Sequence, residues 1–313
     1  MSAFAFPNDT DDPAQNVVAF TLCEPHYYAG AAALLNSLIV RGFRGTFIVG
    51  IKGEPAGWLT NLPTGLPAGV FVRVVSTPND RHLANNKALF ALHIFDELEP
   101  ACKGVAYFDP DIVVKATWRE IVERIVSACS VCADENTTSW AENADEWSLF
   151  AFECTGQSPS MNGPSCNSGF IGVAREHRAV LSLWEELLLA CFKRGFDPKS
   201  FVWHGQRSLP FYFVDQDTLN LTIRLTDVPV WIGGPETMDF EPGGNWISHA
   251  ICTPKPWDRW YLPRALAGRK VRRCDIAFWQ HVTAPIPAMP RISRWCHRID
   301  LACARLLDRN SSP

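Results

Sequence analysis

Short apolar runs alternate along this chain with longer amphipathic stretches. Val17 to Cys23 (VVAFTLC) is continuously apolar and reads as a strand buried on both faces. Glu24-Pro25-His26 breaks it, and the pattern from Ala29 to Val40 predicts a helix ended by Gly42. Thr46 to Ile51 and Val70 to Val75 predict two more strands. A Pro/Gly-rich loop from Gly53 to Gly69 separates them, with a short helix near Trp58. Asn85 to Leu98 reads as a helix and Val105 to Phe108 as a strand. Thr117 to Val126 reads as a helix with Thr117 as its N-cap. A strand at Ser130 to Ala133, a polar excursion from Glu135 to Met161, a strand at Gly169 to Val173 and a long helix from Glu176 to Arg194 follow. Phe211 to Val214 is strand-like and apolar. It leads into a helix from Asp215 to Thr226, and short strands with Gly-Gly turns at 233–234 and 243–244 come after it.

Strands alternating with helices predict an α/β fold on a mostly parallel sheet. In such sheets ligands sit beyond the C-terminal strand ends. Asp109 and Asp111 stand at that position, in VAYFDPDIVV. Two carboxylates so close repel each other unless a cation neutralises them. Carboxylate oxygen suits hard divalent ions, while the plain alternative is a solvated turn stiffened by Pro110. Cys166-Asn167-Ser168-Gly169 reads as a polar turn entering a strand, and Asp215 as a helix N-cap with Asp217 in the first turn. His249 stands six residues before Lys255-Pro256-Trp257, and a lone His is more often structural than a ligand.

Composition narrows the class. The chain has 313 residues with 47% hydrophobic and 20% charged residues, which is globular rather than disordered or collagen-like. No apolar run approaches the ~20 residues of a membrane span, and the N-terminal residues lack the pattern of a secretory signal. Eleven scattered cysteines suggest reduced thiols in a cytosol rather than a disulfide framework. Cys129-Ser130-Val131-Cys132 has no further ligands near it and reads as core thiols. The net charge of −4 hides an asymmetry, since residues 264–313 carry ten basic and three acidic side chains. The acidic remainder argues against nucleic acid as a partner. In the basic tail, Ile292, Trp295, Ile299, Ala302 or Cys303 and Leu306 recur at helical spacing, accompanied by Arg291, Arg294, Arg298, Arg305 and Arg309. That pattern fits either peripheral contact of 291–308 with the inner face of an anionic membrane or a helix packed on the body.

Taken in order, the motifs resemble family 8 glycosyltransferases of the GT-A type, which include glycogenins and bacterial lipopolysaccharide hexosyltransferases. The matching segments are FTLCEPHYYAGAAALLNSL at 20–38, Lys87 in NNKALFAL, the Asp109/Asp111 pair, Asn167 to Gly169, Asp215-Gln216 with Asn220, and His249 to Trp257. Where the family has Gly between His and Lys, this chain has Cys252, and the family's Asp/Asn after the first strand is replaced around Glu24-Pro25. The resemblance implies a GT-A, Rossmann-like nucleotide-diphospho-sugar transferase fold. Its domain would span 16–262, preceded by a loose arm at 1–15 and followed by a basic extension at 263–313 with an amphipathic helix. It also implies a metal-dependent, retaining transfer of a hexose from a UDP-sugar to a carbohydrate or glycolipid acceptor. Asp109, Asp111 and His249 would hold Mn²⁺ or Mg²⁺. Tyr27 would stack on the base beside Thr21 and Cys23, while Lys87 and Lys255 would meet the donor's sugar and diphosphate. Asn167, Ser168, Asp215, Gln216 and, more loosely, Asp134 would surround the transferred sugar. Trp203, Trp246 and Trp260 are candidates for an acceptor platform. Two alternatives stand beside this reading: a haloacid-dehalogenase-like phosphatase using the first Asp as nucleophile, and a catalytically silent carbohydrate-binding protein on the same fold.

Overall fold

The computed structural model describes residues 16–310 apart from 56, 63, 135–143 and 203–210, so the expected arm at 1–15 and Trp203 lie outside the described residues. Nine strands are described: β1 (Val17–Cys23), β2 (Gly45–Ile51), β3 (Val70–Ser76), β4 (Gly104–Phe108), β5 (Ile112–Val114), β6 (Cys129–Ala133), β7 (Cys166–Ala174), β8 (Val230–Gly233) and β9 (Ile247–His249). Seven of them form one sheet in the order β3-β2-β1-β4-β7-β6-β8, and β5 pairs with β9 in a separate two-stranded sheet. Within the large sheet β7 alone is antiparallel to its neighbours. The described helices are α1 (Tyr28–Val40), α2 (Lys87–His93), α3 (Trp118–Ser127), α4 (Ala144–Thr155), α5 (Ala179–Lys193), α6 (Val214–Leu225), α7 (Leu262–Leu266), α8 (Arg273–Gln280) and α9 (Arg291–Asn310). None of the described helices is long and apolar enough to cross a membrane.

The period-2 alternation of a strand divides β1 between two cores. Val17, Ala19 and Cys23 join the layer built with α1, α3 and the C-terminal segment, while Val18, Phe20 and Leu22 join the layer of α2, α5 and α6. The C-terminal segment belongs to the first layer through Phe278, Trp279, Val282, Ile286, Leu301 and Ala304. Asn36, fully buried in α1, ties that segment down. Its Nδ2 donates to the carbonyls of His281 and Ile286, both at 2.7 Å, and its Oδ1 accepts from the Ile286 amide at 2.9 Å.

Thr117 caps α3 as expected, in a reciprocal capping box with Glu120. Other local expectations need correction. The stretch 85–98 divides into a 3₁₀ turn at Leu83–Asn86, α2, and a π-helical turn at Ile94–Leu98. Cys166-Asn167-Ser168 is strand rather than turn: Cys166 and Asn167 pair with Ala133 and Cys132 of β6, and Ser168 continues the strand toward the residues paired with β4. Phe211 to Phe213 forms no strand, and α6 begins at Val214 with Phe213 as its N-cap. Asp215 is therefore not the cap, and its carboxylate is released for tertiary partners.

Asn36→Ala strands three backbone groups, of which the Ile286 amide and carbonyl are buried. We expect it to cost about 2–4 kcal/mol, read as a lower urea midpoint with an unchanged m-value.

Candidate functional site

Strands β1 and β4 end on one side of the sheet, and β5 leaves β4 across the turn Asp109-Pro110-Asp111. Two backbone links fix this turn. The Asp109 amide donates to the Gly169 carbonyl at 2.7 Å, and the Ala250 amide donates to the Asp111 carbonyl at 3.1 Å. The second link continues the β5/β9 ladder, in which Ile112 pairs with His249. A three-residue ladder thus carries His249 from far along the chain to the acidic pair. Asp109, Asp111 and His249 offer ligand atoms that all lie within 4.8 Å of one another.

The oxygens divide their work. Asp109 Oδ1 faces the Tyr107 hydroxyl at 2.5 Å and Lys87 Nζ at 3.3 Å, while Asp109 Oδ2 lies 3.6 Å from His249 Nε2. Asp111 Oδ2 accepts from Lys255 Nζ at 2.5 Å, and Asp111 Oδ1 lies 3.2 Å from His249 Nε2. Each carboxylate commits one oxygen to a fixed donor and turns the other toward the imidazole. Two carboxylate oxygens and one imidazole nitrogen form a donor set suited to Mn²⁺ or Mg²⁺, so the residues present fit such an ion. Gly169 makes room for this cluster: a Cβ there would fall 2.9 Å from His249 Nδ1 and 2.8 Å from Asn167 Oδ1. Gly30 in α1 does the same for the turn, where a Cβ would meet the Pro110 carbonyl and the Trp257 ring.

A second network lies beside the first. The Lys87 side chain is 4% exposed and reaches Asp215 Oδ2 at 3.0 Å, Ser168 Oγ at 3.0 Å and the Ser168 carbonyl at 3.1 Å. Ser168 Oγ also donates to Asp215 Oδ2 at 2.8 Å. Burial works against the Lys87 ammonium, but Asp109 and Asp215 outweigh it and raise its pKa. Burial likewise disfavours the carboxylates of Asp111 and Asp215. His249 and Lys255 reverse that for Asp111, and Lys87 with Ser168 reverses it for Asp215, so both stay below the usual carboxylate range. Gln216 Nε2 donates to Asp134 Oδ2 at 2.9 Å, its Oε1 accepts from the Ser168 amide at 3.2 Å, and Asn167 Nδ2 reaches Asp134 Oδ1 at 3.3 Å. A shift in the β6/β7 register between Val131 and Cys132 frees Ser168 and Gly169 from β6, so that they face these partners. Asn220 holds the far side of the shift, bonding the Cys166 amide and carbonyl at 2.7 and 2.8 Å.

Both networks open on one cleft of about 850 Å³. Cys23, Tyr27, Lys87, Asp109, Asp111, Asp134, Asn167, Ser168, Asp215, Gln216, His249 and Lys255 all line it. Thr21 is fully buried one turn of the pleat below, and the lining begins at Leu22. Cys252, in place of the family's Gly, also lines the cleft. Two of the tryptophans expected as a platform, Trp246 and Trp260, lie elsewhere. Trp246 is buried against Trp231, and Trp260 stacks on His297 in the C-terminal layer. Among the described residues, the Phe, Tyr and Trp side chains that line the cleft are instead Tyr27, Tyr107, Trp147, Phe201, Tyr212 and Phe213. Only Tyr27 among these was singled out from the sequence. The sequence does carry a signal for Tyr107, since a residue two before Asp109 on a strand points to the same side. Cys129 and Cys132 are buried in β6 with thiols pushed up to about 12 by desolvation, which suits core packing.

No family model matches the chain, and no curated protein matches it. Solved structures do. The apo bifunctional glycosyltransferase WbbM aligns over 92% of this chain and 52% of its own, at 13% identity and a TM-score of 0.57. The galactosyltransferase LgtC, solved with donor and acceptor sugar analogs, aligns over 89% of this chain and 99% of its own, at 13% identity and a TM-score of 0.54. GlyE of Streptococcus pneumoniae TIGR4 aligns over 95% and 64%, at 13% identity and 0.52. The chain thus spans about half the length of WbbM and under two thirds of GlyE. The fold is that of the GT-A glycosyltransferases, and an Asp-Asp-His cluster able to hold a metal ion lies at the strand ends.

Two predictions follow from this geometry. Tyr107→Phe removes the hydroxyl that fixes Asp109. Mn²⁺ affinity, measured by calorimetry, should fall roughly tenfold while the melting temperature holds. Burial pushes the Asp217 carboxyl up to about 8, against the pull of the Tyr212 and Phe213 amides that donate to it. A raised acid stabilises the fold fully below its unfolded pKa of about 4 and loses that contribution as pH climbs toward 8. Asp217→Asn cannot ionise, so its stability relative to wild type should rise across pH 5–8 in denaturant titrations.

Proposed function

We propose that this chain is a metal-dependent, retaining glycosyltransferase of the family 8 kind, moving a hexose from a UDP-sugar to a carbohydrate or glycolipid acceptor. The observation that carries the proposal is the Asp109–Asp111–His249 cluster, set between two buried lysines in a cleft at the strand ends. Asp109 Oδ2, Asp111 Oδ1 and His249 Nε2 would hold Mn²⁺ or Mg²⁺, which supplies positive charge against a diphosphate leaving group. Lys255 adds a second fixed positive charge on that side, and Tyr27, with Lys255 Nζ 5.6 Å from its ring centre, offers a face for the base.

The other network suits the sugar. Asp215 is anionic and locked by Lys87 and Ser168, so it stabilises a developing oxocarbenium centre without being free to attack it. Gln216, held by Asp134 and the Ser168 amide, is an amide and a poor nucleophile. Among the described residues the other cleft carboxylates near Gln216 are held as well, Asp134 by Gln216 and Asn167 and Asp217 by the Tyr212 and Phe213 amides, which supports substitution on one face. The anomeric C–O bond to the diphosphate breaks, the acceptor oxygen bonds to the same face, and its proton passes to the departing diphosphate oxygen.

The test is incubation with a panel of UDP-hexoses and Mn²⁺. UDP should be released, EDTA should lower the rate at least a hundredfold, and so should Asp111→Asn assayed below its own melting transition. Early proton NMR should show an α-linked product. Full activity in EDTA, release of inorganic phosphate instead of UDP, or a β-linked product overturns the corresponding part of the proposal.

A further inference from the structure

Helix α9 has two apolar faces, and among the described residues only one is packed. Leu301 and Ala304 are buried against the body, together with His297 and Asp300. Asp300 accepts from the Tyr261 and Leu262 amides at the start of α7, and the His297 ring lies between Trp260 and Trp279 with centroids 4.4 and 5.3 Å away. The helix is therefore held firmly. On its opposite side Ile292, Trp295, Ile299 and Leu306 are 78%, 66%, 43% and 60% exposed. Their spacing of three, four and seven residues draws one stripe along the helix, about 21 Å long at 1.5 Å per residue.

The charges beside the stripe name its partner. Arg291, Arg298 and Arg305 recur every seven residues along one flank, with Arg294 just behind them. Among the described residues none of the four is in an ion pair. Arg294 reaches only the Val282 and Thr283 carbonyls, and Arg298 only the Thr283 hydroxyl. The wider segment 264–313 carries ten basic and three acidic side chains. A second copy docked through the same face would set that excess positive charge against itself. An anionic bilayer supplies both what the stripe lacks, an apolar layer, and what the arginines lack, a dense field of negative charge, and tryptophan favours that boundary.

We propose that this stripe is a membrane-docking surface: α9 lies flat in the interface of an anionic lipid bilayer, with Ile292, Trp295, Ile299 and Leu306 in the lipid and the Arg291–Arg298–Arg305 row on the headgroups. The argument is independent of the transferase reading. The test is flotation of the full chain with phosphatidylcholine vesicles, with and without 30% phosphatidylglycerol, at 0.1 and 0.5 M salt. The protein should float with the anionic vesicles only, and less at high salt. Trp295→Glu and the double variant Arg298→Glu/Arg305→Glu should each cut the bound fraction at least tenfold, given roughly fivefold per basic residue at the surface. Both alter exposed side chains, so unchanged melting curves establish that they fold. Absence of flotation with anionic vesicles at 0.1 M salt, or undiminished flotation of both variants, overturns the proposal. So does a dimer in sedimentation velocity that Trp295→Glu dissociates, which assigns the stripe to a second copy.

Discussion

The buried ammonium of Lys87 is the interaction on which the site depends. It bonds Asp215 from α6 and Ser168 from β7, and it faces Asp109 at the end of β4. Bringing these carboxylates together in a poorly solvated place is unfavourable on its own, and removing one partner of such a set leaves an uncompensated buried charge. Lys255 plays the matching part for Asp111. The two lysines hold Asp111 and Asp215 ionised beside Asp109, so the cleft keeps negative charge where a divalent cation would be held and, on the proposed reading, positive charge for a diphosphate.

A few close approaches make that arrangement possible. The short β5/β9 ladder fixes His249 opposite the acidic turn, and Gly169 allows the imidazole to sit directly over β7. Gly30 lets α1 press against the Pro110 carbonyl and the Trp257 ring. The Asn36 clamp ties the same helix to residues 281–286, so the C-terminal layer that carries α9 is joined to the helix that backs the site. The docked and exposed faces of α9 are then two consequences of one attachment.

The sequence by itself determined most of the scaffold and the chemical types in the site. Apolar runs such as VVAFTLC and GVAYF are buried strands because no register could expose one side of them to water. The Thr117–Glu120 box marks the start of α3 because its partners are three residues apart. The acidic pair was legible for the same reason: strand and turn are local, and a strand end followed by Asp-Pro-Asp leaves little choice of position. Only the tertiary structure decided which distant groups meet there. The pairing of Ile112 with His249, the reach of Lys87 to Asp215 and the register shift that frees Ser168 depend on strand order, which no local pattern encodes. The same limit explains the tryptophans, where hydrophobicity gave a list of candidates and only packing distinguished buried Trp246 and stacked Trp260 from the rings that line the cleft. It also explains α9, whose apolar positions were readable in the sequence, whereas which of its two faces meets the body was settled by the position of Asp300 over the start of α7.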